Sequence, residues 1–95
     1  MLAEKTIRSL IQDVLAKALP KTRISDVEVR DYADSTGEQA LEIMIVLSKG
    51  KSVDLNGAEL AKILENIHDA LLERGDLRFP YVRYLTAAEA KQAAD

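Results

Sequence analysis

The alternation of apolar and polar residues is clearest in residues 39–48, QALEIMIVLS, and it predicts a β-strand. Alternate residues share a face, and one face is entirely apolar: Leu41, Ile43, Ile45 and Leu47. The other face is half apolar: Glu42, Met44 and Val46. A helix of this composition would have no polar side, and its β-branched residues favour a strand. We therefore expect a central strand with one face in the core and the other face partly covered.

Apolar residues at three- and four-residue spacing predict two amphipathic helices. The first covers residues 2–19, and the second covers about residues 57–74. Asn56 is the expected N-cap of the second helix, with Glu59 completing a capping box, and Gly75 is the expected C′ residue. Each helix presents an apolar stripe that one face of a sheet must bury.

Residues 27–32 predict a strand that forms a hairpin with residues 39–48 through a polar turn. We expect a register in which Val29 faces Ile43 and Arg30 faces Glu42. This register places opposite charges next to each other across the two strands, which is favourable.

Residues 79–85 predict a third strand, and Thr86 with Glu89 predicts the capping box of a short C-terminal helix. The fold class is therefore α+β, a two-layer α/β sandwich in the order α-β-β-α-β(-α). Two helices should cover one face of a three-stranded mixed sheet with residues 39–48 in the centre. A right-handed crossover should place the third strand parallel to the second.

The order α-β-β-α-β is similar in topology to the KH-like fold and to the cytoplasmic domain of cation-efflux transporters. The KH resemblance would imply an accessory nucleic-acid-binding domain, although the G-x-x-G loop of that fold is absent between the helices. Residues 1–23 hold five basic residues against two acidic ones. Under this alternative, Lys17, Lys21 and Arg23 are the expected phosphate contacts.

Length and composition narrow the class of protein. Ninety-five residues predict a single domain, residues 1–95. The chain has no cysteine, so neither disulfides nor thiolate metal sites are possible. It has no apolar run of membrane-spanning length, and its N-terminal residues carry acidic charges that disfavour a targeting signal. We expect a cytoplasmic protein.

No catalytic, metal or cofactor site is expected. The sequence GKS at residues 50–52 resembles the end of a phosphate-binding loop, but Ile45 occupies the position where that motif needs its first glycine. His68 is the single histidine and has no nucleophile placed beside it by sequence, so we interpret it as a surface or boundary residue. We therefore expect a protein that is not an enzyme and has no small-molecule substrate.

The remaining candidate is the face of the sheet that the helices leave open. Aromatic residues, methionine and arginine are enriched at protein interfaces, and this face carries all three. The candidate interface residues are Arg30, Tyr32, Met44, Val46, Tyr81 and Arg83. A partner would use this face or an edge strand. Two alternatives remain open: a hydrated face with scattered apolar residues, or a face covered by the C-terminal helix. The sequence thus favours a protein–protein interaction or dimerisation module whose partner is a second copy or another protein.

Overall fold

The protein is described by a computed structural model that covers residues 2–18, 24–47 and 57–93. Its elements follow the predicted order, and the predicted third helix is present: α1 Glu4–Ala18, β1 Ile24–Ala33, β2 Gln39–Leu47, α2 Gly57–Glu73, β3 Phe79–Leu85 and α3 Ala87–Ala93. The expected cap at Asn56 and the polar segment 50–52 lie outside the described residues.

The three strands form one sheet in the order β1-β2-β3, with β2 in the centre as predicted. β1 pairs antiparallel with β2, and the predicted register is confirmed: Val29 faces Ile43, and Arg30 faces Glu42. β3 pairs parallel with β2, which confirms the expected direction of the third strand. The register of β1 and β2 shifts between Ile24 and Asp26, at the start of the hairpin.

The hydrophobic core lies between one face of this sheet and the helices α1 and α2. Its buried side chains come from both helices, β1 and β2, and they include Ile7, Ile11, Leu41, Ile43, Ile63 and Ile67. Val82 and Tyr84 of β3 pack against this cluster. The predicted two-layer α+β sandwich is therefore confirmed. No helix in the described part of the chain is long and apolar enough to span a membrane.

The ends of the elements are fixed by local hydrogen bonds. Gly75 has φ of 80° and ends α2, as predicted. The amide of Gly75 donates to the carbonyl of Leu72 at 3.0 Å, and the amide of Asp76 donates to the carbonyl of Leu71 at 3.0 Å. These two bonds form a Schellman motif, which satisfies carbonyl groups that the end of a helix leaves free.

Candidate protein-interaction face

The sheet face opposite α1 and α2, called the outer face below, is built from four rows of side chains across the strands. The pairing of β1, β2 and β3 defines these rows as Tyr32–Ala40–Phe79, Arg30–Glu42–Tyr81, Glu28–Met44–Arg83 and Asp26–Val46–Leu85. The aromatic side chains of the first two rows are exposed, whereas the apolar side chains of the last two rows are buried.

Tyr32, Phe79 and Tyr81 form a continuous group of rings on the first two rows, called the aromatic patch below. The ring centroids of Tyr32 and Tyr81 are 5.5 Å apart, and those of Phe79 and Tyr81 are 5.1 Å apart, both in edge-to-face geometry. Ala40 lies between β1 and β3 in this region and is buried. Its small side chain leaves the space in which Tyr32 and Tyr81 meet across β2. Each ring nevertheless remains about 40% exposed: 43% for Tyr32 and 40% for Phe79 and for Tyr81.

The aromatic patch continues around the edge of the sheet towards α2. The ring of His68 lies 5.1 Å from that of Phe79, again edge to face. An open depression of about 420 Å³ runs from Tyr32 across Tyr81 to Leu64 of α2. His68 is partly buried, and the structure places it at a boundary, where the sequence analysis had placed it.

Four charged residues border the aromatic patch on the outer face, and their charges balance. Arg30 and Arg83 are positive, whereas Glu28 and Glu42 are negative. Arg30 Nη2 lies 3.8 Å from Glu28 Oε2, in an ion pair that is exposed on both sides. This border is electrically neutral, although the whole chain has a net charge of −3.

The other half of the outer face is covered. Met44 is 4% exposed, Val46 is 8% exposed and Leu85 is 7% exposed, although all three lie on the side away from α1 and α2. The helix α3 contacts β2 and β3 here. Met44 and Val46 are therefore buried in this structure, as in the alternative of a covered face, and their place in an interface stays a prediction. The remaining predicted interface residues are exposed: Arg30, Tyr32, Tyr81 and Arg83.

The start of α3 is fixed by the predicted capping box. The amide of Thr86 donates to Glu89 Oε1 at 2.9 Å, and the amide of Glu89 donates to Thr86 Oγ1 at 3.1 Å. The hydrogen bonds with Thr86 and the nearby positive charge of Arg83 hold the pKa of Glu89 below its usual value. From this capped start α3 runs in contact with β2 and β3.

A buried ion pair that the sequence analysis did not identify lies at the end of the sheet. Asp76 is fully buried, and Arg78 is 7% exposed. Arg78 Nη2 donates to Asp76 Oδ2 at 2.7 Å, and Arg78 Nε donates to Asp76 Oδ1 at 3.0 Å. These bonds from Arg78 lower the pKa of Asp76 from 3.8 to about 2.

Hydrogen bonds join this pair to two segments that are distant in sequence, at Leu2 and at Asp31. The backbone amide of Leu2 donates to Asp76 Oδ2 at 3.2 Å, and Arg78 Nη2 donates to the carbonyl of Leu2 at 3.0 Å. Arg78 Nη1 donates to Asp31 Oδ1 at 2.6 Å. An open depression of about 540 Å³ lies beside this cluster. Two carboxylates already surround the guanidinium, so we interpret the cluster as structural rather than as an anion site.

The candidate nucleic-acid contacts are not brought together with the aromatic rings. Lys17 is exposed on α1, in the helical layer, whereas the aromatic patch lies on the opposite layer. Lys21 and Arg23 lie outside the described residues. Single-stranded nucleic acids are bound where basic residues and stacking rings share a groove. The basic residues beside these rings are Arg30 and Arg83, not Lys17, and Glu28 and Glu42 lie next to them on the same face. Within that part, no three histidine, aspartate or glutamate side chains are grouped so as to hold a metal ion.

Comparison with known proteins adds information on the fold alone. No protein-family model matches the chain, and no curated protein matches it. Two similar solved structures are of the amide bond synthetase McbA from Marinactinospora thermotolerans, one of them a point mutant. Each is 14% identical, covers 90% of this chain and has a TM-score of 0.51. The chain spans only 14% of the length of the synthetase. At this level of identity the likeness supports a shared fold and carries no functional conclusion.

Proposed function

We propose that this protein is a small, non-enzymatic interaction module that binds a second copy of itself through the aromatic patch. The observation that carries the proposal is the group of Tyr32, Phe79 and Tyr81, three touching rings that each remain about 40% exposed. Tyrosine and arginine are frequent at the centres of protein interfaces. The adjacent Arg30 and Arg83 complete that composition.

The face of the sheet is a better binding surface than its edges. β3 contains Pro80, which has no amide hydrogen to donate to an added strand. β1 begins at an irregularity between Ile24 and Asp26 and carries exposed charged residues along its length. Proline, charge and bulges are the usual means by which edge strands are protected from pairing. The proposal therefore assigns binding to the outer face.

The charges on this face favour a second copy as the partner. Arg30 and Arg83 are matched by Glu28 and Glu42, so a two-fold axis through the patch can set the arginines of one copy against the glutamates of the other. The four charges that border the patch sum to zero, so they do not repel a second copy. Asp26 on the fourth row and Glu89 on α3 lie outside this border.

The proposal includes a cytoplasmic location and no cofactor. A chain without cysteine is compatible with a reducing compartment. The described residues of the aromatic patch and its border offer rings with phenol hydroxyls, the imidazole of His68, carboxylates and guanidinium groups, and no serine, threonine or cysteine is among them. This composition is suited to binding rather than to covalent chemistry.

The mass of the protein in solution tests the proposal. Light scattering over a dilution series should show the wild type passing from monomer to dimer as concentration rises. Tyr81→Glu should remain a folded monomer, because it places a charge in the centre of the patch. Ala16→Glu adds the same charge to an exposed position of α1 and should dimerise like the wild type. A wild type that stays monomeric at every concentration, or a Tyr81→Glu variant that dimerises equally well, would contradict the proposal.

A further inference from the structure

The outer face consists of an open half and a half that lies beneath α3. The open half is the aromatic patch, and the covered half is formed by Met44, Val46 and Leu85. The two halves adjoin, since Tyr81 and Arg83 occupy consecutive positions on the same side of β3. Without α3, the apolar side chains of Met44, Val46 and Leu85 would be exposed next to the aromatic patch, with Glu42 and Arg83 between the two groups.

The open half is small for a stable interface. An aromatic side chain offers about 150–250 Å², so three rings that are about 40% exposed present about 200–300 Å². A standard interface buries about 800 Å² on each partner. The aromatic patch can anchor a second copy, but a tight dimer needs the adjoining apolar surface as well.

Three features of α3 indicate that it is held weakly on this surface. It has seven residues, AAEAKQA, and isolated helices shorter than about 12 residues are marginal in water. Its side chains at 88, 89, 91 and 92 are exposed. Its N-terminus depends on the capping box between Thr86 and Glu89.

We infer that α3 is a displaceable cover that restricts dimerisation, and that a second copy binds more tightly when α3 leaves Met44, Val46 and Leu85. This inference rests on the proposed function and adds its regulation. The free energy needed to undock α3 opposes dimerisation, because only the undocked fraction can use the whole face. Any change that weakens α3 should therefore strengthen the dimer.

A pair of substitutions at one position tests the inference. Glu89→Ala removes the capping carboxylate, whereas Glu89→Gln keeps an acceptor that can still complete a capping box. Losing one half of a capping box changes a folding equilibrium by roughly two- to tenfold. We therefore expect Glu89→Ala to speed hydrogen exchange of the α3 amides and to lower the dimer dissociation constant by about twofold or more. Glu89→Gln should resemble the wild type in both measurements.

A chain that ends at Thr86 gives a second measurement that does not depend on the cap. It should dimerise more tightly than Glu89→Ala, and adding Tyr81→Glu to it should return it to monomer. The inference is overturned if Glu89→Ala speeds α3 exchange while the dissociation constant stays at the wild-type value or rises. That failure is distinct from failure of the proposed function, in which the wild type and Tyr81→Glu would have the same mass at every concentration.

Discussion

The carboxylate of Asp76 fixes the position of Leu2, the first described residue of the chain. It accepts hydrogen bonds from Arg78 and from the backbone of Leu2, at full burial. Removing one partner of a buried ion pair leaves the other charge uncompensated, at a cost of about 3–5 kcal/mol. Because Asp31 remains to pair with Arg78, we expect Asp76→Asn to lower the free energy of unfolding by about 3 kcal/mol in urea denaturation.

The control for this variant is Asp31→Asn, which removes the other carboxylate of the same arginine. The side chain of Asp31 is 79% exposed, so its loss should cost no more than about 1 kcal/mol. If the two variants lose equal free energy of unfolding, the buried pair of Arg78 with Asp76 is no stronger than the exposed pair of Arg78 with Asp31, and this account is contradicted.

The lowered pKa of Asp76 also predicts how stability changes in acid. The pKa is 3.8 for an ordinary aspartate and about 2 in the folded chain. The stabilisation is therefore fully present above about pH 5 and is lost as the pH falls through 4 towards 2. Its size is on the order of 2 kcal/mol. Asp76→Asn should lose less stability than the wild type over the same acid range.

Tyr84 gives a contrasting prediction, because its hydroxyl group is buried without a hydrogen-bond partner in the described part of the chain. Burial raises the pKa of this phenol. Tyr84→Phe removes the unsatisfied group and keeps the ring, so stability should be unchanged or up to about 1 kcal/mol higher below pH 9. The wild type alone should then lose stability as Tyr84 is driven to ionise above pH 10. A loss of more than 1 kcal/mol in Tyr84→Phe near pH 7 would indicate that the hydroxyl has a partner.

At the scale of elements, the end of α2 controls how the chain enters β3. Gly75 has φ of 80°, which a residue with a side chain adopts only with strain. Gly75→Ala should therefore destabilise the fold by about 1 kcal/mol or more. Gly57→Ala is the matched control at the start of the same helix. Gly57 does not have positive φ, and a methyl group there would meet no atom within 4 Å. It should be neutral or stabilising by up to about 1 kcal/mol, and equal effects would contradict this account.

The elements could be predicted from the sequence because each has a local pattern. Alternation identified β2, opposite charges gave the pairing of Arg30 with Glu42, and Thr86 with Glu89 gave the cap of α3. The contact of Arg78 with Asp31 could not be predicted in the same way. These residues are 47 positions apart, and only the assembled fold brings them together.

At the scale of the whole molecule, the cover of the outer face also could not be predicted from the sequence. The sequence places Tyr32, Met44 and Tyr81 on one side of the sheet, which the strand register confirms. It does not determine that α3 returns over Met44 and leaves the tyrosines open. An alanine-rich segment has no strong preference of its own for a partner surface, so its position depends on tertiary packing. The aromatic patch and its cover are therefore properties of the folded chain.

The measurement that tests the central claim most directly is an isotope-filtered NOE experiment on an equal mixture of labelled and unlabelled protein at high concentration. The chain has one phenylalanine, three tyrosines and no tryptophan, so each ring can be assigned. The account predicts intermolecular NOEs from the ring protons of Tyr32, Phe79 and Tyr81 and none from the side chains of α1. Intermolecular NOEs that come from α1, or a dimer whose aromatic rings show none, would contradict it.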